Sequence, residues 1–94
     1  VVRLRDDDAA IEPQERIISA GCALQNMLLM AHALGFGAAL TSGKALASSA
    51  LRSLFDLGDE EQALCFLSVG SVASCRPARL RPQSGQYVSM LTAG

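Results

Sequence analysis

Few side chains in this sequence are suited to acid–base or nucleophilic chemistry. His32 is the one histidine, and Ser42 supplies a hydroxyl in the small polar turn Thr41-Ser42-Gly43. A serine nucleophile needs a general base beside it, and no residue near Ser42 in the sequence offers one. His32 shares a helix side with Gln25, seven residues earlier, so a polar contact is favoured over catalysis. The sequence therefore predicts no catalytic acid, base or nucleophile.

Sulfur chemistry is represented by Cys22, Cys65 and Cys75. Their number is odd and no two are close, so we expect free thiols in a reducing compartment. Two of them lie in apolar runs, where cysteine acts as a small buried hydrophobic residue. A zinc site needs paired ligands at short spacing, and no metal site is predicted here.

The element that must position any site is a long apolar helix. The stretch from residue 25 to residue 43 is apolar apart from a few residues. Pro13 suits the first turn of a helix, and Gly35 suits the left-handed position that ends one. The sequence predicts a helix from Pro13 to about Leu34. Its polar residues form only two thin lines, and a helix that is apolar nearly all round is a buried one.

Short strands and a second helix are predicted to follow. Residues 37–41 are short and apolar after a helix stop, which favours a strand that ends at Ser42-Gly43. A shorter helix is expected from about Ser48 to Phe55, because Ser48 or Ser49 can cap it. Residues 63–70 form an almost continuous apolar run that suits a strand covered on both faces.

The two ends of the chain lack such patterns. Residues 1–12 are predicted to be a loop, in which Arg3 and Arg5 alternate with apolar residues before an acidic run. Residues 76–94 are predicted to be an extended C-terminal arm, rich in arginine and proline at its start. Within this arm, Tyr87 to Leu91 has two possible structures, a last edge strand or a packing tail.

Two buried strands cannot form a stable sheet alone. We therefore expect an α+β fold in which residues 1–94 form one partial domain, completed by a missing N-terminal half, a second chain, or both. Half of the residues are hydrophobic, which is high for a small soluble domain.

Charge and hydropathy exclude several partner classes. The formal net charge is −1, so there is no general attraction to nucleic acid or anionic membrane. The longest weakly polar run, residues 27–40, is shorter than the ~18–20 residues that a bilayer requires. No signal peptide is visible, and we expect a cytoplasmic protein without nucleic-acid or membrane partners.

The order of these features resembles the C-terminal half of the nitroreductase family, and it looks most like the small bacterial members. The resemblance covers roughly residues 14–91 and lacks the family's N-terminal segment that grips the flavin phosphate. It rests on the following features: Gln25-Asn26 within the apolar helix, Gly35-Phe36-Gly37, Thr41-Ser42-Gly43 at the strand end, Val69-Gly70, and the arginine-proline arm.

This resemblance implies a homodimer with a central mixed sheet flanked by helices, pairing through the helix of residues 13–34 and holding FMN at the interface. It also implies hydride transfer from NAD(P)H through flavin N5 to nitro compounds, quinones or similar acceptors, by a ping-pong route. Two alternatives stay open. One is a non-enzymatic αβ dimerisation module, and the other is a flavin-binding relative with different chemistry.

The resemblance also implies where the cofactors bind. The family's flavin-contacting turn, where main chain approaches the ring edge, matches Leu40, Thr41, Ser42 and Gly43. The family's nicotinamide-nucleotide segment matches the end of the long helix, that is Met30, Ala31, His32, Ala33, Leu34 and Gly35. Some relatives place basic residues near the flavin phosphate at the positions of Arg79 and Arg81, for which a solvated linker is the alternative.

Overall fold

A computed structural model of the chain describes residues 1–5 and 10–93. It contains one long helix, one short helix and two antiparallel strand pairs, so the α+β class predicted from the sequence is confirmed. The elements are β1 (Val2–Arg3), α1 (Pro13–Ala33), β2 (Gly37–Thr41), α2 (Ser49–Leu54), β3 (Glu61–Gln62) and β4 (Phe66–Gly70), with 3₁₀ turns at Lys44–Ala47 and Ser84–Gln86.

The long helix α1 starts and ends where local signals predict. At its start the Glu15 carboxylate accepts a hydrogen bond from the Glu12 N–H at 3.1 Å, and Pro13 is the first helical residue. At its end Gly35 has φ +86°. The Gly35 N–H donates to the His32 carbonyl at 3.0 Å and the Phe36 N–H donates to the Ala31 carbonyl at 2.9 Å. This pair of bonds is the Schellman motif that satisfies the last carbonyls of a helix.

The central strand pair joins β2 to β4. The two strands run antiparallel, with a register from Gly37 opposite Gly70 to Thr41 opposite Phe66. The predicted bounds of β2 are confirmed, whereas the strand predicted over residues 63–70 begins only at Phe66. Both observed strand pairs are antiparallel, so the described residues do not by themselves form the mixed sheet that the family resemblance implies.

A second strand pair corrects the prediction that residues 1–12 form a loop. Val2 lies opposite Gln62 and Arg3 lies opposite Glu61, and the Leu4 N–H donates to the Glu60 carbonyl at 2.7 Å. The alternation of apolar and basic residues at this end is the pattern of a half-covered strand. The rest of that prediction includes residues 6–9, which lie outside the described residues.

The described chain leaves most of its apolar surface uncovered. Ala31, at 7% exposure, is the one buried hydrophobic residue in the described ranges. The accessible surface is 8231 Å², whereas a compact protein of this mass exposes about 5,200 Å². The radius of gyration is 17.7 Å, against about 12 Å for a compact domain of this length. The burial predicted for α1 is therefore not supplied by the chain itself.

The C-terminal arm is open along its length. Residues 71–83 contain no helix or strand, and every described residue from 71 to 93 is exposed. A 3₁₀ turn follows, in which the Gln83 N–H donates to the Gln86 side-chain oxygen at 2.7 Å. Tyr87 to Leu91 does not form the edge strand that was one possibility, and its side chains are not packed within this chain, since Leu91 is fully exposed.

Candidate functional site

The turn that follows β2 is the candidate flavin-binding site, and we call Leu40 to Gly43 the flavin-edge turn. Leu40 and Thr41 belong to β2, where the register pairs with β4 hold their backbone. Ser42 and Gly43 lie beyond the last pair and are exposed. Within residues 1–5 and 10–93, the backbone N–H groups of Ser42 and Gly43 donate no hydrogen bond. Two adjacent main-chain donors are therefore available to a ligand at the strand end.

Gly43 is not explained by the conformation or the packing of this chain. Its backbone is extended, with φ 165° and ψ 174°, which any residue can adopt. A Cβ built on Gly43 would meet no heavy atom within 4 Å. Glycine is otherwise used where a ligand must approach the backbone closely. No described residue therefore blocks the approach of a ligand to the backbone at Gly43.

The segment after the flavin-edge turn is held by hydrogen bonds. The Leu46 N–H donates to the Gly43 carbonyl at 3.1 Å. The Ser48 hydroxyl accepts from the Leu51 N–H at 3.2 Å and donates to the Ala45 carbonyl at 2.7 Å. Of the two serines predicted as caps, Ser48 is the one that caps α2. One side chain thus ties the 3₁₀ turn to α2.

Arg52 holds the other end of this segment by hydrogen bonds, a role that was not predicted from the sequence. Its guanidinium donates to the Glu61 carbonyl at 2.9 Å and to the Gly58 carbonyl. The Gly58 N–H in turn donates to the Glu61 carboxylate at 3.0 Å. The chain reverses between these groups at Asp56, which has φ +50°. Both carbonyls lie beyond the end of α2, so the sequence around Arg52 carries no local signal for these contacts.

The predicted nicotinamide segment forms the last turn of α1 and the motif that ends it. The carbonyls of Met30, Ala31 and His32 accept the hydrogen bonds that close the helix, so they are not available to a ligand as unpaired groups. A helix C-terminus carries partial negative charge, which disfavours phosphates and leaves an uncharged ring as the suitable ligand part.

The two predicted cofactor segments lie at opposite ends of β2. The strand separates Gly35 from the flavin-edge turn, and an extended strand of this length spans roughly 13 Å between its end residues. The fold of this chain therefore presents the two segments separately and does not combine them in one cavity.

Arg79 and Arg81 lie in the open part of the C-terminal arm, and both are exposed. Neither makes a hydrogen bond or an ion pair with any described residue. Their assignment to a flavin phosphate therefore stays a prediction.

An apolar groove of about 500 Å³ lies between α1 and the β2–β4 pair. It is open to solvent, and Asn26 is the polar residue in its lining. The other residues of the lining are Met27, Met30, Ala31, Leu34, Phe36, Leu67 and Val69. Several of these side chains are exposed, so the groove is an open apolar surface rather than an enclosed binding cavity.

The three cysteines are all free. Cys65 is half-buried, while Cys22 and Cys75 are exposed. Burial was expected for the two cysteines in apolar runs, and on this chain that expectation is wrong for Cys22. In the described ranges, no group of three or more His, Cys, Asp or Glu side chains is placed to hold a metal ion. No helix there is both long enough and apolar enough to cross a bilayer.

The described residues form an α+β polypeptide with two unpaired main-chain donors in the turn after β2. The family model described as the Nitroreductase family matches residues 1–71, and the chain belongs to this family. No curated protein gives a significant match. Family membership supports a flavin-dependent oxidoreductase kind of function. The matched range, residues 1–71, begins and ends earlier in the chain than residues 14–91, over which the sequence resembles the family. It includes the flavin-edge turn and the nicotinamide segment but not Arg79 or Arg81.

Proposed function

We propose that this chain provides the flavin-edge wall of an FMN-dependent NAD(P)H oxidoreductase that acts on nitro compounds, quinones or similar acceptors by a ping-pong route. The observation that carries this proposal is the pair of unpaired N–H donors at Ser42 and Gly43, in a chain of the Nitroreductase family. Bound FMN supplies the chemistry by accepting a hydride from NAD(P)H and passing electrons on to the acceptor.

The residues of this chain bind and orient the cofactor. Thr41 is held opposite Phe66 by the strand pair, so the donors that follow it are oriented before any ligand arrives. Donors that are already in place stabilise charge without reorganisation. Leu40 is exposed beside them and offers an apolar contact to the ring. In the same proposal, the guanidinium groups of Arg79 and Arg81 hold the FMN phosphate, to which arginine is well matched.

The nicotinamide part of NAD(P)H is assigned to the last turn of α1, Met30 to Gly35, beside the flavin-edge turn of the second copy in the proposed dimer, because the turn of the same chain lies at the other end of β2. Support comes from the exposure of Met30 and Leu34, which offer apolar contact to an uncharged ring. Because the helix end carries partial negative charge, the phosphates of the dinucleotide are assigned to another part of the protein.

The uncovered apolar surface requires a partner polypeptide. The accessible surface of 8231 Å² exceeds that of a compact protein of this mass by about 3,000 Å², which is more than one partner's share of a typical obligate interface. We assign this surface to a homodimer that pairs through α1, together with further strands that complete the sheet. The free thiols favour the cytoplasm as its compartment.

The substitution Gly43→Val in the full-length protein tests this function. A Cβ at Gly43 meets nothing in the chain, so the fold is expected to tolerate valine, while the branched side chain blocks backbone approach. We expect the Kd for FMN to rise at least about tenfold, the equivalent of one displaced hydrogen bond, with no change in the unfolding temperature.

Gly85→Val is the matched control, because a Cβ at Gly85 also meets nothing within 4 Å. It is expected to bind FMN like the unsubstituted protein. Equal FMN affinity in the Gly43→Val variant would overturn the assignment of the flavin-edge turn, and a folded protein that does not bind FMN at all would overturn the proposed function.

The exposed apolar face of α1 also favours a second candidate, the non-enzymatic dimerisation module. Such a protein would form a colourless dimer with a concentration-dependent unfolding temperature that added FMN does not raise. A ligand that binds the folded state must raise this temperature, so an FMN titration followed by thermal unfolding separates the two functions. A flavin-binding relative with different chemistry would bind FMN but fail to turn over NAD(P)H with nitro or quinone acceptors.

A further inference from the structure

The contacts of Arg52 form a closed set that we call the Arg52 clamp, made of Arg52, Gly58 and Glu61. The half-buried Arg52 donates to the backbone carbonyls of the other two residues. The Glu61 carboxylate accepts a hydrogen bond from the Gly58 N–H at 3.0 Å. Hydrogen bonds from a charged donor are stronger than those between neutral groups. Among the polar contacts that α2 makes beyond the Ser48 cap, this clamp is therefore the strongest.

Apolar packing does little to hold α2 in this chain. Leu54 is 77% exposed and Phe55 is 54% exposed, and no residue of α2 is buried. A six-residue helix is not stable without tertiary contacts. The place of α2 therefore depends on its two polar ties, the Ser48 cap and the Arg52 clamp.

These ties connect the flavin-edge turn to the β1–β3 pair. The Gly43 carbonyl accepts from the Leu46 N–H, and the Ala45 carbonyl in the same 3₁₀ turn accepts from the Ser48 hydroxyl. From α2, the clamp reaches Glu61, which is paired with Arg3 in β1. Hydrogen bonds, the covalent link between Ala45 and Leu46, and the pairing of Glu61 with Arg3 thus couple the direction in which the chain leaves Gly43 to the far side of the segment.

We propose that Arg52 is a positioning residue that fixes the path of the chain after Gly43 and thereby the orientation of the flavin-edge donors. Its consequence for FMN rests on the proposed function, while its effect on the path of the chain does not. Arginine suits this role because its planar fork holds two carbonyls at once. Lysine can serve only one of them in the same geometry, and an apolar side chain of similar length can serve neither.

The test compares Arg52→Met and Arg52→Lys in the full-length protein without added flavin, by segment-resolved amide hydrogen exchange. Arg52→Met keeps an apolar stem and removes the donors. We expect exchange of the hydrogen-bonded amides in residues 46–48 and 58–61 to become about tenfold faster in Arg52→Met, with α1 and the β2–β4 pair unchanged. Arg52→Lys is expected to restore part of the protection. Arg76→Met is the control, because Arg76 is exposed and makes no hydrogen bond with described residues.

Three results would overturn the positioning role. These are unchanged exchange of the bonded amides in residues 46–48 in Arg52→Met, equal acceleration in every segment, and failure of both variants to fold, since the last two describe general stability. FMN titration of the same variants is read separately. A Kd that rises at least about fivefold in Arg52→Met and recovers in Arg52→Lys extends the role to the cofactor. A protein that binds no FMN in any form overturns the proposed function and leaves the exchange result standing.

Discussion

Val72 lies across the start of β2, with its Cγ2 atom 2.8 Å from the point that a Cβ on Gly37 would occupy. Gly37 is also opposite Gly70 at the end of β4, so Val72, two residues beyond β4, reaches back over Gly37. We therefore expect Gly37→Ala to lower the free energy of unfolding by about 1 kcal/mol, the low end of the cost of overpacking, because Val72 is 54% exposed and can shift. Urea denaturation of the full-length protein measures this cost.

Two further variants identify the cause of that loss. Gly70→Ala is the matched control, because a Cβ at Gly70 meets nothing within 4 Å and the substitution should change the unfolding free energy little. Val72→Ala combined with Gly37→Ala should recover most of the loss, since residues in contact are not additive. If Gly37→Ala unfolds at the same urea concentration as the unsubstituted protein, the close approach of Val72 does not exist in solution.

The left-handed backbone at Gly35 predicts a graded effect of substitution. Its φ of +86° is costly for any residue with a Cβ, by about 1–2 kcal/mol, and asparagine tolerates this region better than alanine. We expect the unfolding free energy to fall in the order glycine, asparagine, alanine at position 35. Thermal unfolding of Gly35→Asn and Gly35→Ala tests the order, and equal unfolding temperatures for both variants would contradict it.

These two glycines show which parts of the fold the sequence could predict. Gly35 follows an apolar run and is succeeded by a strand pattern, so the end of α1 and the bounds of β2 depend on neighbouring residues alone. Gly37 is different, because the atom that crowds it belongs to Val72, and no local pattern reports a contact between residues so far apart in the chain. The short pairing of β1 with β3 was missed for the same reason.

The candidate site divides in a similar way. The flavin-edge turn was predicted from the family resemblance, and a strand end followed by glycine is a local pattern that agrees with this prediction. Arg52 was missed, because its importance comes from the carbonyls of Gly58 and Glu61 and not from its own position in a short helix. The burial expected for α1 could not come from this chain, since its own strands cover one side only.

The cap of α2 predicts different effects for two adjacent serines. The Ser48 hydroxyl accepts from the Leu51 N–H and donates to the Ala45 carbonyl, whereas Ser49 is the first helical residue and does not cap. We expect Ser48→Ala to cost about 1 kcal/mol of stability and to speed amide exchange in residues 49–54. Ser49→Ala should be neutral or slightly stabilising, because alanine is the better helix former. The same loss in both variants would show that the hydroxyl of Ser48 is not the cause.

The reactivity of Cys22 tests whether another polypeptide covers α1. Cys22 is two residues from the half-buried Ala20 and from the half-buried Leu24, which places it on the opposite side of a helix with 100° between successive residues. On this chain Cys22 and Cys75 are both exposed, so equal alkylation rates are expected when the chain is alone. If a second copy packs on the outward face of α1, Cys22 is covered in the native assembly while Cys75, in the arm, serves as the exposed reference.

We therefore expect a maleimide to label Cys22 at least about tenfold more slowly than Cys75 in the native protein, since a closed interface exposes its residues only by opening. Dilution or mild urea that dissociates the assembly should make the two rates converge, as followed by intact and peptide mass spectrometry. Cys65, which is half-buried within the chain itself, should stay slower than Cys75 until the chain unfolds. Equal rates at Cys22 and Cys75 in the native protein would mean that water reaches the outward face of α1, and a dimer that pairs through this face would then be wrong.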